Sequence, residues 1–149
     1  MNDAMDHDAL EGAQRAAAAM YADDRASRSL GIVIDDVAPG RASARLRVSA
    51  EMVNGHGIAH TAYIFLLADT ASAFACNTYE PTVATAAEIT FVRPAGEGDE
   101  LVAEARERVR FGEAGVYDVT VRNGSGDVVA EFRGHSRRLR ARSKSHAEA

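Results

Sequence analysis

Most of the groups in this chain that could do chemistry stand between Asn54 and Asn77, in the run NGHGIAHTAYIFLLADTASAFACN. Asp69 is a lone carboxylate among apolar and small residues. Burying an unpaired carboxylate costs roughly several kcal/mol, so Asp69 needs either a partner or a task. The task it suits is hydrolysis, as the general base that takes a proton from water or as the nucleophile itself. The structural alternative is a side chain that accepts a hydrogen bond from a neighbouring Thr or backbone group. His60 and Thr61 stand where a helix begins, and the first N–H groups of a helix lack partners and carry partial positive charge. Backbone N–H groups near His60, Thr61 and Ala62 would stabilise the oxyanion formed when a carbonyl is attacked.

Eight residues separate Thr61 from Asp69, which is about 12 Å of helix rise and roughly 800° of rotation. One carbonyl cannot touch both. If the two groups cooperate they come from different chains, so the spacing predicts a homodimer with two composite sites. Other readings stand beside this one. His56 and His60, four apart, would suit a metal with Asp69 as a third ligand if both lay on one helix, but glycines flank His56 and place it in a loop. Cys76 lies amid apolar residues without a paired base, a poor setting for a nucleophile. Asn54 serves either to position a water or carbonyl or as a turn residue.

These groups need elements to hold them. Ala62, Phe65, Leu66, Ala68, Ala73, Phe74 and Ala75 put apolar residues all round a helix, the pattern of a buried one, and Pro81 bars it from passing Tyr79. Before it, residues 1 to about 7 read as loose and Ala9 to Tyr21 as an amphipathic helix weakened by Gly12. A polar connector over 23–29 completes an N-terminal unit of residues 1–29. Strands are expected at 31–37 and 42–48, joined at Pro39-Gly40, then at 82–92, 100–111, 115–122 and 128–136. Asn123-Gly124 marks a hairpin before the last of them. One apolar helix and six strands joined by short turns imply an α+β architecture, a curved antiparallel sheet wrapped round the central helix, spanning 30–139. This is the hotdog arrangement, and its open sheet edge invites a second copy. The tail, 140–149, reads as disordered.

Composition narrows the uses. At 149 residues with a formal charge of -5, the chain has the size of one domain and no basic face for nucleic acid. Arg133, Arg137, Arg138, Arg140 and Arg142 crowd into ten residues, either to hold phosphates or as a solvated tail. A single cysteine excludes internal disulfides and a Cys-based zinc site. The N-terminus is acidic where a signal peptide is basic, and no run approaches membrane-spanning length, so the expectation by default is a cytoplasmic chain.

MVNGHGIAH followed by FLLADTASAFACN resembles the PaaI-type acyl-CoA thioesterases of phenylacetic acid catabolism, members of the hotdog superfamily. EITFVRPAGEGDEL, GVYDVTVRN and VVAEFRGHSRRL extend the likeness across about 30–139. The resemblance implies hydrolysis of phenylacetyl-CoA or ring-hydroxylated phenylacetyl-CoA without metal or cofactor, CoA being part of the substrate. It also implies a tetramer built from two dimers. Position by position, Asp69 matches the catalytic carboxylate, Asn54 and His60 the polar residues that orient thioester and water, and Thr61 the oxyanion donor from the partner chain. Ala62 and Tyr63 at the helix start, with Arg93, Pro94, Arg133 and Arg137 at strand ends, become the residues expected to contact the acyl group and the CoA phosphates. The family usually has His-Gly-Gly where this chain has His60-Thr61-Ala62. If that glycine needs positive φ, Thr61 is strained or the turn shifts. Two other functions remain: an acyl-CoA-binding protein that lost turnover through Thr61, and a hotdog hydratase or dehydratase.

Overall fold

The computed structural model of the protein describes residues 2–140. Helices α1 (Asn2–Asp23) and α2 (Arg25–Ser29) lead into β1 (Val33–Ala38) and β2 (Arg41–Arg47). A single 3-10 turn, Ala50–Met52, precedes the long helix α3 (Thr61–Cys76). Strands β3 (Thr82–Phe91), β4 (Glu100–Phe111), β5 (Ala114–Arg122) and β6 (Val128–Arg138) complete the order. All neighbours pair antiparallel in one sheet, in the order β1-β2-β4-β5-β6-β3. The architecture is the hotdog fold, a curved sheet round a long helix with a further helix at the N-terminus.

Alternation along the strands produces the core. Leu101, Ala103 and Ala105 on β4, and Tyr117, Val119 and Val121 on β5, turn inward and are buried. They meet Ile64, Leu67, Ala68, Ala71, Phe74 and Ala75 of α3, which packs mainly on β2, β4 and β5. Small residues on α3 bring the two surfaces close. At Gly134 of β6 an added Cβ would lie 2.7 Å from Ser72 Oγ and 3.0 Å from a ring carbon of Phe132. Gly40, with φ +71°, turns β1 into β2, and its N–H donates to Thr78 Oγ1 just beyond α3.

The N-terminal region corrects the sequence reading. Residues 2–7 are helical rather than loose: Asp3 stands in the first turn, where it complements the helix dipole, and they run on without a break into the alanine-rich stretch that follows. His7 and Glu11 pair one turn apart. Gly12 does not interrupt the helix. The polar connector contains α2, capped by Asp24, whose carboxylate accepts from the Ser27 N–H and hydroxyl. The reading of α3 as buried all round also needs correction: Ala62 is exposed, and Phe65, Leu66, Asp69 and Ala73 are only half-buried, forming one open stripe. Of the tail, residues 141–149 lie outside the described residues.

The two sheet edges differ. α1 lies along β1, where the Tyr21 hydroxyl donates to the Ile32 carbonyl at 2.8 Å and its ring meets Phe74 edge-on. β3, at the other edge, is exposed along most of both faces and carries one charge, Glu88. It has no proline or lysine to discourage pairing.

Gly134→Ala tests the close approach of β6 to α3. Because Ser72 and Phe132 are themselves packed, the substitution is expected to cost about 1–3 kcal/mol in urea unfolding. An unchanged midpoint would show that the two surfaces have room to part.

Candidate active site

The loop before α3 is closed by backbone bonds and by Asn54. The Asn54 N–H donates to the Ile58 carbonyl, and its Oδ1 accepts from the His56 N–H at 2.9 Å and the Ile58 N–H at 3.4 Å. The side-chain oxygen is therefore a turn former, leaving the amide NH2 for other partners. The loop is tied down at its end too: the His60 N–H donates to Met52 O at 2.7 Å and the Ala59 N–H to Ala95 O at 2.8 Å. That second bond sets the segment Arg93-Pro94-Ala95 beside the start of α3, across thirty-six residues of sequence.

His60 caps the helix. Its Nδ1 accepts from the Ala62 N–H at 3.0 Å, so the neutral ring carries its proton on Nε2 and presents that N–H as a donor. Among the described residues, the Thr61 N–H has no acceptor. Thr61 is the first helical residue, in a conformation open to any L-residue, so the strain expected of a threonine in place of glycine does not arise. Its side chain is exposed and adds a hydroxyl beside the free N–H.

Asp69 sits two turns further on, half-buried on the open stripe. Burial pushes its carboxyl up from the ordinary aspartate value, and among the described residues no neighbouring charge or hydrogen bond offsets this. The hydrogen-bonded structural role is thus not the one seen. The structure does not bring Asp69 to the Thr61 N–H of its own chain, since the intervening helix is unbroken.

The remaining candidates fall into place by position. Tyr63 is half-buried and meets the His60 ring edge-on, whereas Phe65 packs edge-on against Phe132 at 5.5 Å. Pro94 is exposed. Arg93 Nη1 lies 3.1 Å from Asp127 in the turn between β5 and β6. Arg133 and Arg137 both lie on β6, and each faces a carboxylate; only Arg137 stands at the strand's end. Arg133 lies within β6, where it makes a two-pronged contact with Asp118 at 2.7 and 2.9 Å and holds that carboxyl below its usual range. Arg137 faces Glu113 at 3.8 Å. Cys76 is buried and its thiol is pushed up to about 11. His56 remains exposed on the loop, and among the described residues no three His, Cys, Asp or Glu side chains gather as metal ligands. Asp127, which holds Arg93, follows a turn far along the chain, and no local pattern marks it.

Residues 56–130 match the thioesterase superfamily. The chain belongs to it. It is similar to acyl-coenzyme A thioesterase PaaI of Escherichia coli, 41% identical over 91% of this chain and 94% of that one. The solved structure of that protein, described as from the phenylacetic acid degradation operon, superposes with a TM-score of 0.86 over 89% of this chain and 96% of the other. A variant of PaaI from Thermus thermophilus gives 0.76 at 35% identity, over 78% of this chain and 100% of the other. A Streptococcus mutans protein solved with acetyl CoA gives 0.68 at 25% identity, over 72% and 91%. This hotdog protein is a thioester hydrolase. No described helix is long and apolar enough to cross a membrane.

The raised Asp69 pKa has a consequence for stability. In the unfolded chain the carboxyl ionises at a lower pH, so between the two values the folded state holds the extra proton and stability falls as pH rises. Asp69→Asn is therefore expected to resist urea better than the wild type at neutral pH, with the difference vanishing below the ordinary aspartate value. A less stable variant at neutral pH would reveal a stabilising partner for the carboxylate.

Proposed function

We propose that this acyl-CoA thioesterase hydrolyses phenylacetyl-CoA or a ring-hydroxylated phenylacetyl-CoA to the free acid and CoA. Asp69 acts as general base or nucleophile, and the Thr61 N–H of a partner chain receives the oxyanion. The observation that carries this reading is the pairing of two unspent groups on one helix: a carboxylate without a partner and an N–H without an acceptor, about 12 Å apart along α3. Each chain holds half of a site twice over. A homodimer related by a two-fold axis would bring Asp69 of one chain to Thr61 of the other.

The edges support that assembly. With α1 packed on β1 and two exposed aspartates, Asp35 and Asp36, on that strand, the bare β3 is the edge more open to a second copy, and pairing there gives a closed pair rather than an open fibre. The open stripe of α3 that holds Asp69 would be covered in the same step. Two such dimers would make the homotetramer that the resemblance implies. His60 Nε2–H and the Asn54 amide orient the thioester and water, while Ala62, Tyr63 and Pro94 line the approach. Arg93, Arg133 and Arg137 meet CoA phosphates by leaving Asp127, Asp118 and Glu113 respectively, Arg93 being the one whose segment is bonded to the start of α3. The arylacetyl group is supported by the relatives whose names carry phenylacetic acid degradation, and the CoA portion by the Streptococcus mutans protein with acetyl CoA. The proposed chemistry uses the chain's own groups, without metal or cofactor.

Asp69→Asn is expected to abolish thiol release from phenylacetyl-CoA while preserving the fold. Wild-type kcat/KM should rise with pH as Asp69 loses its proton, at a midpoint above the ordinary aspartate value.

Thr61→Pro removes the oxyanion N–H at a helical position where proline fits, and His60 before it already has the extended ψ of 130° that a following proline requires. It should lower kcat by about 10²–10³. Mixing unfolded Asp69→Asn and Thr61→Pro chains and refolding them together should recover about a quarter of wild-type activity, because each mixed dimer keeps one intact site. Recovery of none would place both groups in one chain's site.

A further inference from the structure

Arg93 is the single cation between Val92 and Glu100, a segment that also carries Glu97, Asp99 and Glu100. That segment is bonded to the start of α3 through Ala95 O and the Ala59 N–H, so Arg93 is the arginine of the candidate set carried closest in chain to the site. It is not idle there. Its Nη1 contacts the Asp127 carboxylate at 3.1 Å, and both side chains are about half exposed. The carboxylate stands on a well-built turn. Asn123 Oδ1 accepts from the Ser125 and Asp127 N–H groups, the Asn123 N–H donates to Asp127 O, and Arg122 Nη1 donates to Gly126 O. A rigid turn thus offers a carboxylate to a flexible arginine, in solvent, where such pairs are weak and exchangeable.

On the acyl-CoA reading above, on which this inference rests, we propose that Asp127 is a built-in competitor for the substrate's phosphates. The free enzyme holds Arg93 on Asp127. A phosphate monoester of the CoA portion, with about twice the negative charge of a carboxylate, takes Arg93 from it. Asp127 then sets how tightly the nucleotide end of the substrate, or of the CoA product, is held. Weak holding suits a hydrolase that must release CoA after each turnover.

The test compares phenylacetyl-CoA with phenylacetyl-N-acetylcysteamine, which has the same thioester and no phosphate. Arg93→Gln should raise KM for the CoA ester about tenfold more than KM for the truncated ester. Asp127→Asn, which keeps the turn's backbone bonds, should lower KM for the CoA ester about two- to fivefold, an advantage that shrinks with added salt. Equal effects of Arg93→Gln on both esters would overturn the proposal, as would an unchanged or raised KM in Asp127→Asn. If no thioester is hydrolysed by the wild type, the catalytic reading fails instead, and binding of coenzyme A itself, followed by calorimetry, still decides this inference. Weaker binding by Arg93→Gln with tighter binding by Asp127→Asn sustains it; identical affinities overturn it.

Discussion

Strand β6 runs so close to helix α3 at Gly134 that one added methyl group would collide with Ser72. That closeness comes from small side chains on the helix, Ala68, Ala71, Ser72 and Ala75, set against inward-facing alanines and valines of the sheet. A sheet drawn this near must curl round the helix, and the curl leaves one stripe of α3 uncovered. Asp69 stands on that stripe. The curvature therefore decides both that the carboxylate is partly desolvated and that it remains reachable.

Desolvation without a compensating partner sets Asp69 apart from Asp118, Asp35, Glu107 and Asp127, each of which faces an arginine. Those pairs lie toward solvent, where attraction is modest and exchange is easy. Asp69 faces none, and its pKa is raised by burial alone. A carboxylate so placed is costly to the fold and suited to accepting a proton. The N-terminus of α3 is the complementary case, with the Ala62 N–H satisfied by His60 and the Thr61 N–H left free. The cap determines which donor is spent and which remains.

Asymmetry between the sheet edges carries these local facts to the level of assembly. A helix packs along β1, whereas β3 at the other edge of the sheet is bare. The homodimer proposed above would cover both the open edge and the stripe.

The sequence by itself determined the elements and marked the candidate positions. Period-two alternation marked β2, β4, β5 and β6 to within a few residues, because one face of each is buried, whereas β3, exposed on most of both faces, was marked by its β-branched residues. An acidic residue in an apolar run marked Asp69, because burying charge is expensive. The spacing of Thr61 and Asp69 separated them on one helix by rise per residue alone. Local pattern misled where it stood by itself: acidic residues 2–7 read as loose yet form helix, and a helix apolar all round was not buried all round. Only the tertiary structure decided that β3 leaves its sequence neighbour and pairs with β6 at the far edge, since the crossover through α3 carries it across the sheet. It alone decided that Arg133 and Arg137 face carboxylates and that Arg93 is held beside the helix start by Asp127. Those are contacts between residues remote in the chain, which packing creates and no periodicity encodes.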